Sequence, residues 1–161
     1  MWDKYYQEHP EGQVIHHYLK EEWTQRAVQE RGVIIVSDLL PMETHEKKVA
    51  PHNGAFSKIL GRYVREQRLL DLNTAILKLT LLPARRLEKY APAFSRKGRI
   101  QPSMDADITI FDPRTIRNNA THQNPYQEAT GIVHVIVNGQ AVISEGKQIA
   151  GSYPGRRMLA N

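Results

Sequence analysis

The first 38 residues set two hydrophobic periods against each other. "QVIHHYL" (13–19) reads as a short strand, and "KEEWTQRAVQER" (20–31) as a helix that gathers Trp23, Ala27 and Val28 on one side. Gly32 ends that helix, and "VIIVSD" (33–38) follows as an apolar, β-branched run closed by Ser37 and Asp38. Strand, helix and buried strand in this order predict a βαβ unit, with residues 33–36 pairing in parallel with residues 14–18. An irregular loop, "LLPMETHEKKVAPHNG" (39–54), comes next, and loops of that length usually carry function or disorder. Helical spacing returns over 55–67, 70–80 and 83–91, and the first two of these helices are expected to pack over strand 33–36. Pro83 suits a first helical turn, and Asp71 or Asn73 suits the cap of the middle helix. The period then changes. "ADITIFDP" (106–113) and the long run 131–151 read as strands, with Asn138-Gly139 at a two-residue hairpin turn and a polar, loop-like stretch (114–130) between them.

Composition narrows the class without changing that picture. A chain of 161 residues, 40% hydrophobic and 24% charged, has the length and composition of one globular domain with a real core. No apolar run is long enough to span a membrane, and "MWDKYYQEHPEG" lacks the basic-then-apolar pattern of a signal peptide. The absence of cysteine excludes disulfides, thiolate metal sites and cysteine nucleophiles, and suits a cytoplasmic protein. The net charge of +5 raises the question of nucleic acid. Its basic residues, however, are dispersed through "GRYVREQR", "PARRLEK", "SRKGR" and "PGRR" without an interleaved aromatic platform, so neither a nucleic-acid nor a membrane partner is expected.

Asp38 is the residue whose position raises a chemical question. Open α/β sheets and (β/α) barrels place their chemistry at the carboxyl ends of parallel strands, and Asp38 ends a predicted strand with a long loop behind it. Ser and Asp after a strand also commonly satisfy backbone N–H groups, so a cap and a functional carboxylate are both open readings here.

The segment "GRYVREQRLLDLNTAILKLTLLPARRLEKYAPAFSRKGRIQPSMDADITIFDP", followed by "GIVHVIVNGQAVISEGK", resembles the carboxyl-terminal part of the N-acyl-D-amino-acid deacylase branch of the amidohydrolase superfamily. The "LGRYVRE" run, the "PARRL" helix and the "KGRI…ADI…FDP" segment carry the likeness in order and spacing, from about residue 13 to the end. The resemblance implies an α/β fold: the last βαβ part of a (β/α)₈ TIM-type barrel over residues 1–91, and part of a small β-sandwich over residues 92–161. It implies a metal-dependent hydrolase acting on the amide of a small N-acyl amino acid, with a divalent metal, zinc, in the full-length parent. In that pattern Asp38 is the aspartate of the last barrel strand, a metal ligand and the base that helps activate water.

Other parts of such a site are missing. The superfamily supplies its first metal-binding imidazoles from an H-x-H motif, and the histidines here, at 9, 16, 17, 45, 52, 122 and 134, contain none. His16 and His17 are adjacent on a predicted strand and so face opposite ways. Where the relatives carry a His-Pro-Arg element this chain reads "VAPHNGAF", which leaves His52 as the candidate substrate-binding residue. Leu39 stands where a small residue is common after Ser-Asp, and Ser103 where a Gly is usual.

A (β/α)₈ barrel needs roughly 250 residues, so the expectation is the last quarter to third of an amidohydrolase. No tightly bound metal and no amidase activity are expected of the chain alone. Its unpaired strand edges and apolar face predict a homo-oligomer. The alternative function, from a different class, is a noncatalytic interaction or oligomerisation module derived from a hydrolase fragment.

Overall fold

The computed structural model describes residues 2–10, 18–38 and 54–159. Helix α1 covers Trp2–Glu8, an element that the sequence pattern did not predict. Helix α2 covers Glu21–Gln29, with Glu21 and Glu22 in its first turn, where carboxylates favour the positive end of the helix dipole. Helix α3 starts at Ala55–Lys58 and widens without a break into a π-helical run, Ile59–Glu66, so the helix expected over 55–67 is present with an unexpected geometry. Helix α4, Leu72–Leu79, is capped by Asp71, whose carboxylate accepts hydrogen bonds from the Thr74 N–H at 2.9 Å and the Thr74 hydroxyl at 2.6 Å. Helix α5, Leu81–Leu87, follows at once with Pro83 in its first turn.

The β half is one antiparallel meander of four strands: β1 Ile108–Phe111, β2 Ile132–Val137, β3 Gln140–Ser144 and β4 Lys147–Gln148. β2 and β3 turn at Asn138-Gly139 as the sequence predicts, with φ of 50° and 79°, the pair of positive values that a type I′ hairpin needs. A second such turn at Glu145-Gly146, unforeseen in the sequence, leads into β4. The first hairpin is tied back by Asp107, which accepts from the Asn138 N–H at 2.7 Å and is ion-paired with Lys97. Burial alone would raise the Asp107 carboxyl, but the hydrogen bonds from Lys97 and Asn138 and the Lys97 charge hold it below its ordinary value.

The two halves share a core. Val28, Ile59, Leu60, Tyr63, Ala75 and Ile116 are buried together, and Ile35, Phe111 and Ile132 pack against them. Ile116 comes from the stretch 114–130, whose overall polarity concealed a core residue that is 0% exposed. Two glycines make room for its backbone: a Cβ on Gly61 would stand 2.5 Å from the Ile116 carbonyl oxygen, and one on Gly131 would stand 2.5 Å from its Cα. Tyr63 joins α2 to the π-helical run by donating to Glu21 at 3.1 Å; burial first, and the Glu21 charge second, push its phenol up to about 12.

One expectation is not met among the described residues. Residues 33–38 pair with no strand among the described residues, and the ladders described are all antiparallel. The expected βαβ unit is therefore not displayed. Most of its first strand, residues 13–17, lies outside the described residues, and Tyr18 and Leu19 belong to no strand and are exposed. A β-branched run becomes a strand only when a neighbour takes its backbone groups, and the hydrogen bonds found here go to helix ends instead.

Candidate functional site

Asp38 closes the segment that leaves α2. Along residues 33–38 burial alternates strictly: Val33, Ile35 and Ser37 are half-buried, while Ile34, Val36 and Asp38 are exposed. This is the period of an extended chain with one side against a surface. Ile35 reaches the shared core, which turns that side of the segment towards the helices and leaves Asp38 on the other. Asp38 itself has φ of 53°, a left-handed conformation that costs a non-glycine residue about 1–2 kcal/mol and that Asp tolerates better than most.

The segment is held at its start by a lysine that the sequence reading did not single out. Lys78, on α4, is 2% exposed. Its ammonium donates to the carbonyl oxygen of Glu30, the C-cap of α2, and to that of Val33 at 3.1 Å. In return the Ile35 N–H donates to the Lys78 carbonyl at 3.2 Å. Burial pulls the Lys78 ammonium below its ordinary pKa, partly opposed by the Glu30 carboxylate. A lysine inside the apolar run "AILKL" is the signal that could have revealed it, since an ammonium in such a place must find carbonyl or carboxylate partners.

His52, the other candidate, lies with residues 39–53 outside the described residues, as do His16, His17 and His45. The described histidines lie apart from Asp38 in role. The His9 ring sits 5.0 Å from that of Tyr5, and His134 on β2 accepts from the Glu145 N–H at 3.4 Å. His122 lines a 430 Å³ cleft with Lys58, Arg62 and Arg117. Among the described residues no three His, Cys, Asp or Glu side chains are grouped so as to hold a metal ion. One exposed carboxylate does not compose a metal centre. What Asp38 offers is a proton acceptor on the solvent-facing side of an anchored segment. A second cleft, of 320 Å³, borders the same segment at Gly32 and Ile34 and is lined by Arg31, Arg85, Arg86 and Lys89.

The profile of the amidohydrolase family matches residues 29–143. The chain is 37% identical over 134 residues to an N-acyl-D-glutamate deacylase of Alcaligenes xylosoxydans xylosoxydans, covering 81% of this chain and 25% of that protein. It is 34% identical over 143 residues to a D-aminoacylase of the same organism, covering 88% of this chain and 28% of the relative. Among solved structures it superposes with a TM-score of 0.76 and 35% identity on an N-acyl-D-glutamate deacylase of Bordetella bronchiseptica, over 87% of this chain and 28% of that one. That structure is complexed with zinc and a phosphonate mimic of the tetrahedral intermediate. A D-aminoacylase with a binuclear metal centre gives a TM-score of 0.74 at 34% identity, over 83% of this chain and 27% of its own. The chain thus spans about a quarter of the length of the relatives that it matches.

Proposed function

This chain belongs to the amidohydrolase family, and from that membership we propose that it is the carboxyl-terminal portion of a metal-dependent hydrolase that cleaves the amide bond of small N-acyl-D-amino acids. The observation that carries the proposal is the continuity of the match. Relatives named as deacylases of this class align with more than four fifths of the chain, and the family profile runs through Asp38 and the segment that positions it.

Within that reading the barrel strand is residues 33–38, completed by neighbours from the full-length parent, and β1 to β4 form part of the small sandwich. A divalent metal, zinc, would polarise the amide carbonyl and acidify water there, and its other donors would come from outside the described residues. The chain's own contribution is Asp38. Its carboxylate takes a proton from the attacking water and returns it to the leaving amine, a role worth about 10²- to 10⁴-fold in rate. His52 is kept as the candidate contact to substrate, and the cysteine-free composition supports action in the cytoplasm.

In the full-length parent Asp38→Asn should lower turnover of an N-acyl-D-amino acid by about 10²-fold or more with little change in expression, because the two side chains are nearly isosteric. Retained turnover would remove Asp38 from the mechanism. The 161-residue chain on its own should show neither turnover nor tight zinc binding, and metal-dependent activity in it would end the reading of the chain as a portion of a larger enzyme.

A further inference from the structure

The stretch 33–36 presents an ambiguity that burial alone cannot resolve. Its two faces are chemically alike: Val33 and Ile35 alternate with Ile34 and Val36, so either pair could face the helices with nearly the same gain in buried apolar surface. A slip of one residue would exchange them, and would move Asp38 to the opposite face at the same time. The structure nevertheless shows one choice, with Ile35 against the core and Val36 64% exposed.

Something other than hydrophobicity selects that choice, and the hydrogen bonds around Lys78 are specific to it. The ammonium grips the carbonyls of Glu30 and Val33, while the Lys78 carbonyl takes the Ile35 N–H. Two helix ends are satisfied by this arrangement. The carbonyl of Glu30 lies at the C-terminus of α2, where a cation is favoured by the helix dipole, and the carbonyl of Lys78 is one of the last in α4, which has no partner within its own helix. A slipped segment would offer the ammonium the wrong carbonyl, and would leave a buried lysine short of a partner.

We infer that Lys78 is a positioning residue that sets the register of residues 33–38 and thereby the face on which Asp38 stands. The consequence for catalysis rests on the function proposed above; the register itself does not.

The test is made first on the 161-residue chain, using labelled isoleucine methyl groups and a soluble paramagnetic relaxation agent. In the unaltered protein Ile34 should relax strongly and Ile35 weakly. Lys78→Met keeps the length and loses the charge; it should erase that contrast and speed amide exchange at Val33 and Ile35 at least tenfold relative to Ile116 and Gly146, whose own hydrogen bonds lie elsewhere. A general loss of stability would accelerate all four amides together and leave the methyl contrast in the folded fraction, which would overturn the assignment. Lys78→Arg keeps a cation for the two carbonyls and should keep the contrast; its loss there, with the chain folded, would also overturn it. In the full-length parent, Lys78→Met should cut kcat at least tenfold with KM within twofold, and Lys78→Arg should restore most of kcat. Unchanged kcat in Lys78→Met alongside a lost contrast would overturn the link to Asp38, whereas retained turnover in Asp38→Asn would fault the proposed function and leave the register result standing.

Discussion

Ser103 shows most plainly how a single residue records a local requirement. Its place in "QPSMDAD" is one where the family resemblance leads to the expectation of Gly, and the structure gives it φ of 66°, with the side chain exposed. The turn still demands a left-handed residue, and serine meets that demand at a cost of about 1–2 kcal/mol. Glycine would remove the strain but would lose about 0.5–1 kcal/mol through the greater freedom of the unfolded chain. Ser103→Gly is therefore expected to stabilise the protein by roughly 0.5–1 kcal/mol, read as a higher midpoint in urea at unchanged slope; a lower midpoint would show that the serine side chain has a part that the structure does not reveal. Asp38 has the same backbone sign at the end of its described segment. Strain in a left-handed conformation at the end of an anchored segment is common at functional positions, which supports the role proposed for it.

Among the elements, α3 and its π-helical continuation depend on a gap rather than on a contact. Gly61 lies where the helix crosses the backbone of Ile116, and Arg65, one turn on, donates to the carbonyl oxygens of Ile116 and Pro113. A methyl group at residue 61 would meet a backbone oxygen at 2.5 Å, which cannot swing aside as the end of a side chain could. Gly61→Ala should thus destabilise by about 1–3 kcal/mol despite the higher helix propensity of alanine. Chemical denaturation measures this directly, and a gain in stability would mean that the helix and the loop can separate freely. The hairpin β2–β3 rests on the opposite principle, local turn chemistry, and for that reason it was legible from Asn138-Gly139 alone.

At the scale of the whole molecule the open question is what covers the apolar surface that remains. Ile100, Ile110 and Tyr153 are exposed at 85%, 45% and 84%, and no residue of β2 is fully buried. Large apolar side chains left in water each forgo a good part of about 1.5–3 kcal/mol, against a total stability of roughly 5–15 kcal/mol for a small domain. Association with a second copy of the chain is proposed as the remedy, since a two-fold pairing makes the same surface available on both partners. Sedimentation equilibrium should find the isolated chain as a dimer or larger. A stable monomer across the accessible concentration range would defeat the proposal and would imply that the exposed residues are tolerated singly.

The amino-acid sequence by itself determined the elements whose information is local. Helix α2, the Asp71-capped α4, α5 with Pro83 in its first turn and the Asn138-Gly139 hairpin all follow from periodicity, caps and turn residues within a few positions of each other. It also marked Asp38 as the carboxylate worth attention, and carried the family likeness that the profile over residues 29–143 establishes. Tertiary structure alone decided the rest. Only folding brings Ile116 out of a polar stretch and between two glycines, and only folding sets Lys78 under the end of α2. The fate of residues 33–38 belongs here too. Their composition states a capacity for pairing, but a strand is a relation between two segments, and the partner that would complete it is not specified by the run "VIIV" itself.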